Sequence, residues 1–317
     1  MSALISTDVA LAATRLRQGG LVAVPTETVY GLAADARNVA AVARIFEVKG
    51  RPADHPLIVH LGSASELSSW ASTVPDAARR LADTCWPGPL TILLPRHPDV
   101  ADVVTGGRDT VGVRVPAHPM TQQLLAALGS GLAAPSANRF GKVSPTTAQH
   151  VLSDIGDRLD PDRDLVLDGG PCAVGVESTI VDLTVAPPQI LRTGAISGDD
   201  LHRIIHTAVA DASGPSRASG MLASHYAPDC AVIPADDRAA ADELAERHRE
   251  RGASVGVLDR TDDLVAAAQR LYGDLRAADD GGLDVLVVVM PPAAGIGHAL
   301  RDRISKAAAP SPPSPAG

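Results

Sequence analysis

Short runs of β-branched and aliphatic residues, each bounded by Pro or Gly, alternate along this chain with segments of helical period. LVAVP, PLIVHL, LTILLP, TVGVRVP, GLAAP, DLVLDGG and STIVDL are the strand-like runs of the first two-thirds. Between them lie NVAAVARIFEVKG, PDAARRLADTC, HPMTQQLLAALG and TTAQHVLSDIG, which repeat apolar residues every three to four positions. Strands spaced by helices require an α/β fold, because each helix must bury its apolar stripe on the sheet it connects. The pattern predicts a twisted, open, mixed sheet over residues 1–210, closed by the helix DDLHRIIHTAV near residue 209.

The alternation stops at residues 211–229, DASGPSRASGMLASHYAPD, which are small, polar and rich in Gly and Pro, and read as a linker. It restarts at residue 230 with CAVIP, RAAADELAERHRER, SVGVLD, LVAAAQRLYGDLRA, LDVLVVVMP and GHALRDRISKAAA. This β-α-β-α-β-α order predicts a small three-layer, Rossmann-like domain with a parallel sheet over residues 230–308. Residues 309–317 are expected to be a disordered Pro-rich tail.

Composition removes several classes of function. A net charge of -9 argues against a protein that wraps nucleic acid by bulk electrostatics, and 2% aromatic residues argue against base stacking. Cys85, Cys172 and Cys230 are too widely spaced for a disulfide framework or a zinc site. No apolar run approaches the roughly 18 residues of a membrane span, and the first residues do not read as a signal peptide, so a cytoplasmic protein is expected. The P-loop pattern is absent from the sequence.

What remains is a set of polar stretches at predicted strand ends, where α/β sheets bind ligands. In VPTETVYGLAADA two threonines, a glutamate and a tyrosine sit where a turn needs one Gly or Asn. Lys49 and Arg51 flank Gly50 on a predicted loop, either a phosphate clamp or a solvated charged turn. His60 ends an apolar strand, as a core group or a substrate contact. Arg114 lies inside the apolar strand TVGVRVP and needs an anionic partner, either a protein carboxylate or a ligand's. Ser136, Asn138 and Ser144 precede a helix predicted to open after Pro145, which suits an anion, although Ser144 alone would serve as a helix cap. Asp168 and Glu177 have no setting that marks them as paired acid/base carboxylates. Arg192 ends a further strand. The inventory suits charge neutralisation of a nucleotide polyphosphate beside a small anionic substrate, with no nucleophile to form a covalent intermediate.

PTETVYGL, KGRPADHPLIVH, WPGPLTILL, VGVRVPAHP, APSAN, SPTTAQHV, LDGG, GVESTIVD and LRTGAI, in this order over about residues 8–200, resemble the YrdC-like family of threonylcarbamoyl-AMP synthases. GMLASHYAPD and GIGHALRDRISKAA resemble the long form of that family, with its extra C-terminal domain. The resemblance implies a nucleotidyltransferase that joins L-threonine, bicarbonate and ATP into threonylcarbamoyl-AMP and pyrophosphate. That product would pass to the tRNA threonylcarbamoyl transferase machinery, with no stable nucleic-acid binding and no membrane contact by this chain. The resemblance further implies that Thr28, His60, Arg114, Ala134 and Ser178 contact threonine. Lys49, Arg51, His55, Thr110, Ser136, Asn138, Ser144, Arg192 and Tyr226 would contact ATP, with Lys49 and Arg51 as the catalytic cations. Magnesium is expected to arrive with ATP, without protein ligands and without an organic prosthetic group.

Position 55 departs from the family, which commonly has Asn there; a histidine in its place can still donate to a phosphate oxygen and would bring a pH dependence near neutrality. The linker is expected to cross the active site through His225 and Tyr226, with the C-terminal domain as a lid. An RNA-holding module, a carbamoyl-handling maturation enzyme and a plain scaffold are the rival readings. Threonine-dependent ATP turnover separates the synthase from all three.

Overall fold

The structure is a computed structural model that describes residues 4–214, 217–218 and 226–309. The chain runs β1 (Ile5–Ser6), α1 (Val9–Arg17), β2 (Val22–Val24), β3 (Gly31–Asp35), α2 (Val39–Lys49), β4 (Ile58–His60), α3 (Asp76–Cys85) and β5 (Leu90–Pro95). It continues with α4 (Asp102–Thr105), β6 (Thr110–Arg114), α5 (Pro119–Leu128), β7 (Leu132–Ala133), α6 (Ala148–Ile155), β8 (Leu165–Leu167), β9 (Thr179–Asp182), β10 (Gln189–Arg192), α7 (Gly198–Ile205) and β11 (Ala210–Asp211). The remaining elements are β12 (Ala231–Ala235), α8 (Arg238–Arg249), β13 (Val255–Leu258), α9 (Leu264–Asp280), β14 (Val285–Val289) and α10 (Gly297–Ala308).

The first eleven strands make one mixed sheet in the order β1-β8-β2-β3-β7-β4-β6-β5-β9-β10-β11. β4 runs parallel to β6, so their C-terminal residues His60 and Arg114 are register partners. β2, β7 and β8 are buried at every position, as expected of strands covered on both faces. The main core lies between this sheet and its helices and includes Leu32, Ile45, Val59, Leu81, Ile92 and Val113.

The expected strands and helices form; β1, α1, α4 and β11 were not anticipated, and two further differences lie near the strand ends. β3 was not anticipated, because Gly31–Asp35 reads GLAAD, small residues without β-branched alternation. Lys49 does not lie on a loop: it is the last residue of α2, which Gly50 terminates in a left-handed conformation at φ 62°.

β12, β14 and β13 form a separate parallel sheet of three strands. Alternate residues of β14 serve opposite layers: Val285, Val287 and Val289 pack with Ala241 and Ala245 of α8, whereas Leu286 and Val288 join Leu271, Leu300 and Ile304 of α9 and α10. The expected three layers follow from that alternation. The α9–α10 layer also takes in Val29, Val143 and Val176, so the second unit shares a core with the loops at the strand ends of the first. No helix among the described residues is long and apolar enough to cross a membrane.

Candidate active site

Those strand ends and loops line a cavity walled by Thr26, Thr28, Val29, Gly31, Arg51, Ile58, His60, Arg114, Ala134, Pro135, Ser136, Glu177, Arg192 and Tyr226. The turn between β2 and β3 assigns a different task to each residue of its T-E-T segment. The Thr26 hydroxyl donates to the Val29 carbonyl at 2.6 Å and accepts from the backbone amides of Thr28 and Val29. A hydroxyl has one proton. Thr28, 2.8 Å from Thr26 Oγ1, is therefore the donor of that pair, and its own oxygen keeps acceptor capacity at the cavity wall.

Glu27 supplies the anion that Arg114 requires. Arg114 Nη2 donates to Glu27 Oε1 at 2.6 Å and Nε donates to the Gly88 carbonyl at 3.2 Å, while the Ala117 amide donates to Glu27 Oε2 at 2.9 Å. Burial alone would raise the Glu27 carboxyl, but the charge and hydrogen bond of Arg114 outweigh it and hold the carboxyl below its ordinary value. The partner left open by the sequence is thus a protein carboxylate, and it fixes a guanidinium that also forms part of the cavity wall.

His60 sits beside Arg114 and is 5% exposed. Burial and the Arg114 charge push its imidazole down to about 3, so it is neutral in the physiological range. Its Nδ1 is buried and has no hydrogen-bond partner among the described residues, an orphan that a polar ligand would satisfy.

Arg51 and Arg192 gather positive charge on the same wall. Arg51 Nη2 donates to the Pro56 carbonyl at 3.0 Å and its guanidinium lies 5.8 Å from the Phe140 ring centre. Burial and the nearby Arg192 charge lower it to about 10. An anion bound beside Arg51 would offset the like charge of Arg192. Arg192 is steered by Ser178, donating from Nε to its carbonyl at 2.9 Å and from Nη2 to its hydroxyl at 3.0 Å. Gly194 permits this approach: a Cβ there would lie 2.3 Å from the Thr179 amide nitrogen.

Of the residues expected to contact ligand, Thr28, Arg51, His60, Arg114, Ala134, Ser136, Arg192 and Tyr226 are on the wall. Lys49, His55, Thr110, Asn138, Ser144 and Ser178 are not among the wall residues. Lys49 is fully buried by its neighbours and donates from Nζ to the carbonyls of Ser136, at 2.6 Å, and of Asn138. Burial and the Arg51 charge push it well below its ordinary value. Asn138 Nδ2 closes the same loop by donating to the carbonyls of Arg139 and Lys142, both at 2.8 Å.

Thr110 starts β6, at the opposite end of that strand from Arg114 and roughly 13 Å away at the usual rise per residue. Ser144 does not cap the following helix; Thr147 does, accepting from the His150 amide at 3.2 Å. His55 packs edge-on to Phe140 at 5.3 Å, and burial with the Arg51 charge lowers its imidazole below its ordinary value.

The linker completes the wall, backed by the second unit. Tyr226 adopts a left-handed φ of 63° and is 1% exposed; its ring stacks on Tyr272 of α9 at 5.7 Å and lies under Arg303 of α10 at 5.0 Å. Its neighbour His225 lies outside the described residues. Glu177 Oε1 accepts from Ser144 Oγ at 2.6 Å, and Oε2 accepts from Tyr272 at 2.7 Å and from Arg303 Nε at 2.8 Å. Asp168 is taken up elsewhere, accepting from the Gly170 amide at 2.9 Å, so the two carboxylates do not act as a pair.

Glu177, Tyr272 and Arg303 were not assigned from sequence. One signal was present: Arg303 occupies the buried stripe of α10 with Ala299, Leu300, Ile304 and Ala307, at a spacing that otherwise holds apolar residues.

An α/β sheet whose strand ends gather guanidinium groups and hydroxyls around one cavity, with a second α/β unit closing over them, is the architecture of an enzyme that activates a small substrate with a nucleotide. Two family models divide the chain: the Sua5_yciO_yrdC model, described as telomere recombination, matches residues 14–194, and the threonylcarbamoyl-AMP synthase C-terminal domain model matches residues 196–309. The chain belongs to the Sua5 form of the threonylcarbamoyl-AMP synthase family.

It is 41% identical to the threonylcarbamoyl-AMP synthase of Pyrococcus abyssi (strain GE5 / Orsay), over 94% of this chain and 93% of that one. It is 37% identical to the threonylcarbamoyl-AMP synthase of Bacillus subtilis (strain 168), over 95% and 93%. The crystal structure of P. abyssi Sua5 complexed with L-threonine superposes with a TM-score of 0.89 at 39% identity, covering 95% of this chain and 94% of that one.

Proposed function

We propose that this protein makes threonylcarbamoyl-AMP from L-threonine, bicarbonate and ATP, releasing pyrophosphate and water. The observation that carries the reading is the joint wall of Thr28, His60 and Arg114 with Arg51, Ser136 and Arg192, which gives an amino acid and a polyphosphate neighbouring places in one cavity.

Threonine binds with its carboxylate toward Arg114 and its polar groups toward Thr28 and His60, whose unpartnered Nδ1 is suited to a ligand hydrogen bond. The threonine amine takes up the carbon of bicarbonate, losing water, to give an N-carboxylate. That carboxylate attacks the α-phosphorus of ATP in line, and the bond to the β-phosphate oxygen breaks as pyrophosphate departs. Arg51 and Arg192 neutralise charge on the phosphates, while Lys49 and Asn138 shape the Ser136–Asn138 backbone that faces them.

No group of three or more His, Cys, Asp or Glu that could hold a metal occurs among the described residues. We place magnesium on the ATP phosphates, where it would add charge neutralisation.

We assign catalysis to residues 1–210, cavity crossing to the linker 211–229, and the role of a lid to residues 230–308. We place the reaction in the cytoplasm, upstream of the enzymes that transfer the carbamoyl-threonine group to tRNA. Pyrophosphate release by the purified chain tests the reading: it must require L-threonine and bicarbonate together. Release without threonine would make the protein a different ATP-consuming enzyme.

A further inference from the structure

The full burial of Arg303 in the second unit calls for an explanation beyond domain adhesion. A fully buried guanidinium is costly to desolvate, and an apolar side chain of similar volume would hold two packed surfaces together at least as well. What an arginine adds is direction. Its Nε donates to Glu177 Oε2 at 2.8 Å, its Nη2 donates to the Thr193 carbonyl at 2.9 Å, its Nη1 pairs with Asp302, and its plane covers the Tyr226 ring at 5.0 Å. Glu177 and Tyr226 are cavity wall, and Thr193 directly follows Arg192, which is also cavity wall.

Glu177 is a liability in a site for a polyphosphate. Its negative charge at the wall repels phosphate and competes for the guanidinium of Arg192, which lies close enough for the two to perturb each other's titration. Both carboxylate oxygens are engaged by other groups, Oε1 by Ser144 and Oε2 by Tyr272 and Arg303.

We propose that Arg303 is a positioning residue for nucleotide binding: from the second unit it holds Glu177 away from Arg192 and fixes the Arg192–Thr193 backbone, so that Arg192 is presented to the phosphates. The inference rests on the proposed ATP-dependent reaction and adds a role for the second unit in setting the charge that the cavity shows to its nucleotide.

The test uses the full chain with Arg303→Met, Arg303→Lys, and the pair Arg303→Met with Glu177→Gln. Titration with ATP alone reads the nucleotide affinity without turnover, and pyrophosphate release reads KM for ATP and for threonine. Arg303→Met is expected to weaken ATP binding about tenfold to a hundredfold, the usual consequence of leaving one buried charge without its partner. KM for threonine is expected to stay within about twofold, since Arg303 acts on the phosphate side. Adding Glu177→Gln removes the competing charge and is expected to restore ATP affinity to within about threefold of the parent.

If Arg303→Met does not fold, Arg303→Lys, which keeps the charge and loses the fork, carries the test with an intermediate loss. Unchanged ATP affinity in a folded variant would overturn the proposal, as would equal loss for ATP and threonine or a loss that Glu177→Gln leaves untouched. Failure of the unaltered chain to bind ATP would instead overturn the proposed function itself.

Discussion

Glu177 and Arg303 are separated by 126 residues along the chain and by 2.8 Å between Oε2 and Nε. This contact joins a loop at the wall of the ligand cavity to the last helix of the second unit, and Tyr272 reinforces it on the same oxygen at 2.7 Å. The wall residue Glu177 of the first unit is therefore braced by residues of the second. Tyr272→Phe removes one hydrogen bond to a buried carboxylate and is expected to lower stability by about 1.5–3 kcal/mol, measured as a shift in the urea midpoint. No shift would mean that the oxygen is served elsewhere.

Acid should unfold the protein in two overlapping stages. His60 and His150 are held at about 3 and about 4, so from the ordinary value of 6.5 downward the unfolded chain binds protons that the folded one refuses. Both shifts come from burial first, with Arg114 beside His60 and Arg276 beside His150. Stability therefore falls as the pH drops below 6.5. Glu177 works over a lower window: burial would raise it, but Arg303, Arg192, Ser144 and Tyr272 bring it to about 2. Its contribution is complete above 4.5 and is lost as the pH falls toward 2. Melting temperatures recorded across this range should decline from near neutrality, and a His60→Gln, His150→Gln variant should lose much of the slope above pH ~5. An unchanged slope would remove these histidines as its source.

Gly194 lets the end of β10 touch the Ser178 loop. Gly194→Ala sets a Cβ 2.3 Å from the Thr179 nitrogen and 2.6 Å from the Glu177 carbonyl oxygen. The strand end must then back away, costing about 1–3 kcal/mol as overpacking does. Because the displaced segment carries Arg192, KM for ATP should rise in the same variant. A stable variant with normal ATP kinetics would show that the contact is not needed.

Arg114 is oriented by Glu27 and cannot be exchanged for a point charge. Arg114→Lys retains charge but loses the fork that binds Glu27 and a ligand carboxylate together. Steady-state kinetics should show KM for threonine up by roughly tenfold or more and KM for ATP nearly unchanged. A larger effect on ATP would move Arg114 to the phosphate side.

Lys49 ties down the backbone at Ser136 and Asn138. In Lys49→Ala the carbonyls of Ser136 and Asn138 lose their ammonium donor, a cost of about 1–3 kcal/mol for each one left unsatisfied. The expected phenotype is lower stability with weakened ATP binding. Full stability with a collapse of kcat alone would instead give Lys49 a direct part in the chemistry.

The architecture was legible where local pattern and tertiary environment agree. The β-branched runs 58–60 and 110–114, the helix 39–49 with its apolar stripe, and the regular β-α alternation after residue 230 all form where their residues predict. β3 was hidden because GLAAD carries no alternation, and only its antiparallel partners β2 and β7 make it a strand.

Among site residues, motif resemblance brought out Thr28, His60, Arg114 and Arg192, and the structure gathers these around one cavity. Their supporting partners were not legible, since Glu27 for Arg114 and Ser178 for Arg192 are chosen by strand register. Lys49 and Ser144 look like ligand contacts in sequence because their chemistry suits phosphate; the structure shows two of the three Lys49 donors on backbone carbonyls and the Ser144 hydroxyl on Glu177. The interdomain contact has no short-range signature at all, apart from an arginine where α10 should bury an apolar side chain.

The central claim is that one cavity joins threonine, bicarbonate and ATP. The most direct measurement is the mass of the nucleotide formed by the intact chain from ATP, L-threonine and carbon-labelled bicarbonate. The expected product is an AMP adduct that carries both the amino acid and the label, is formed together with pyrophosphate, and is lost in Arg114→Ala. An adenylate of threonine without the label, or ATP cleavage that yields no adduct, would contradict it.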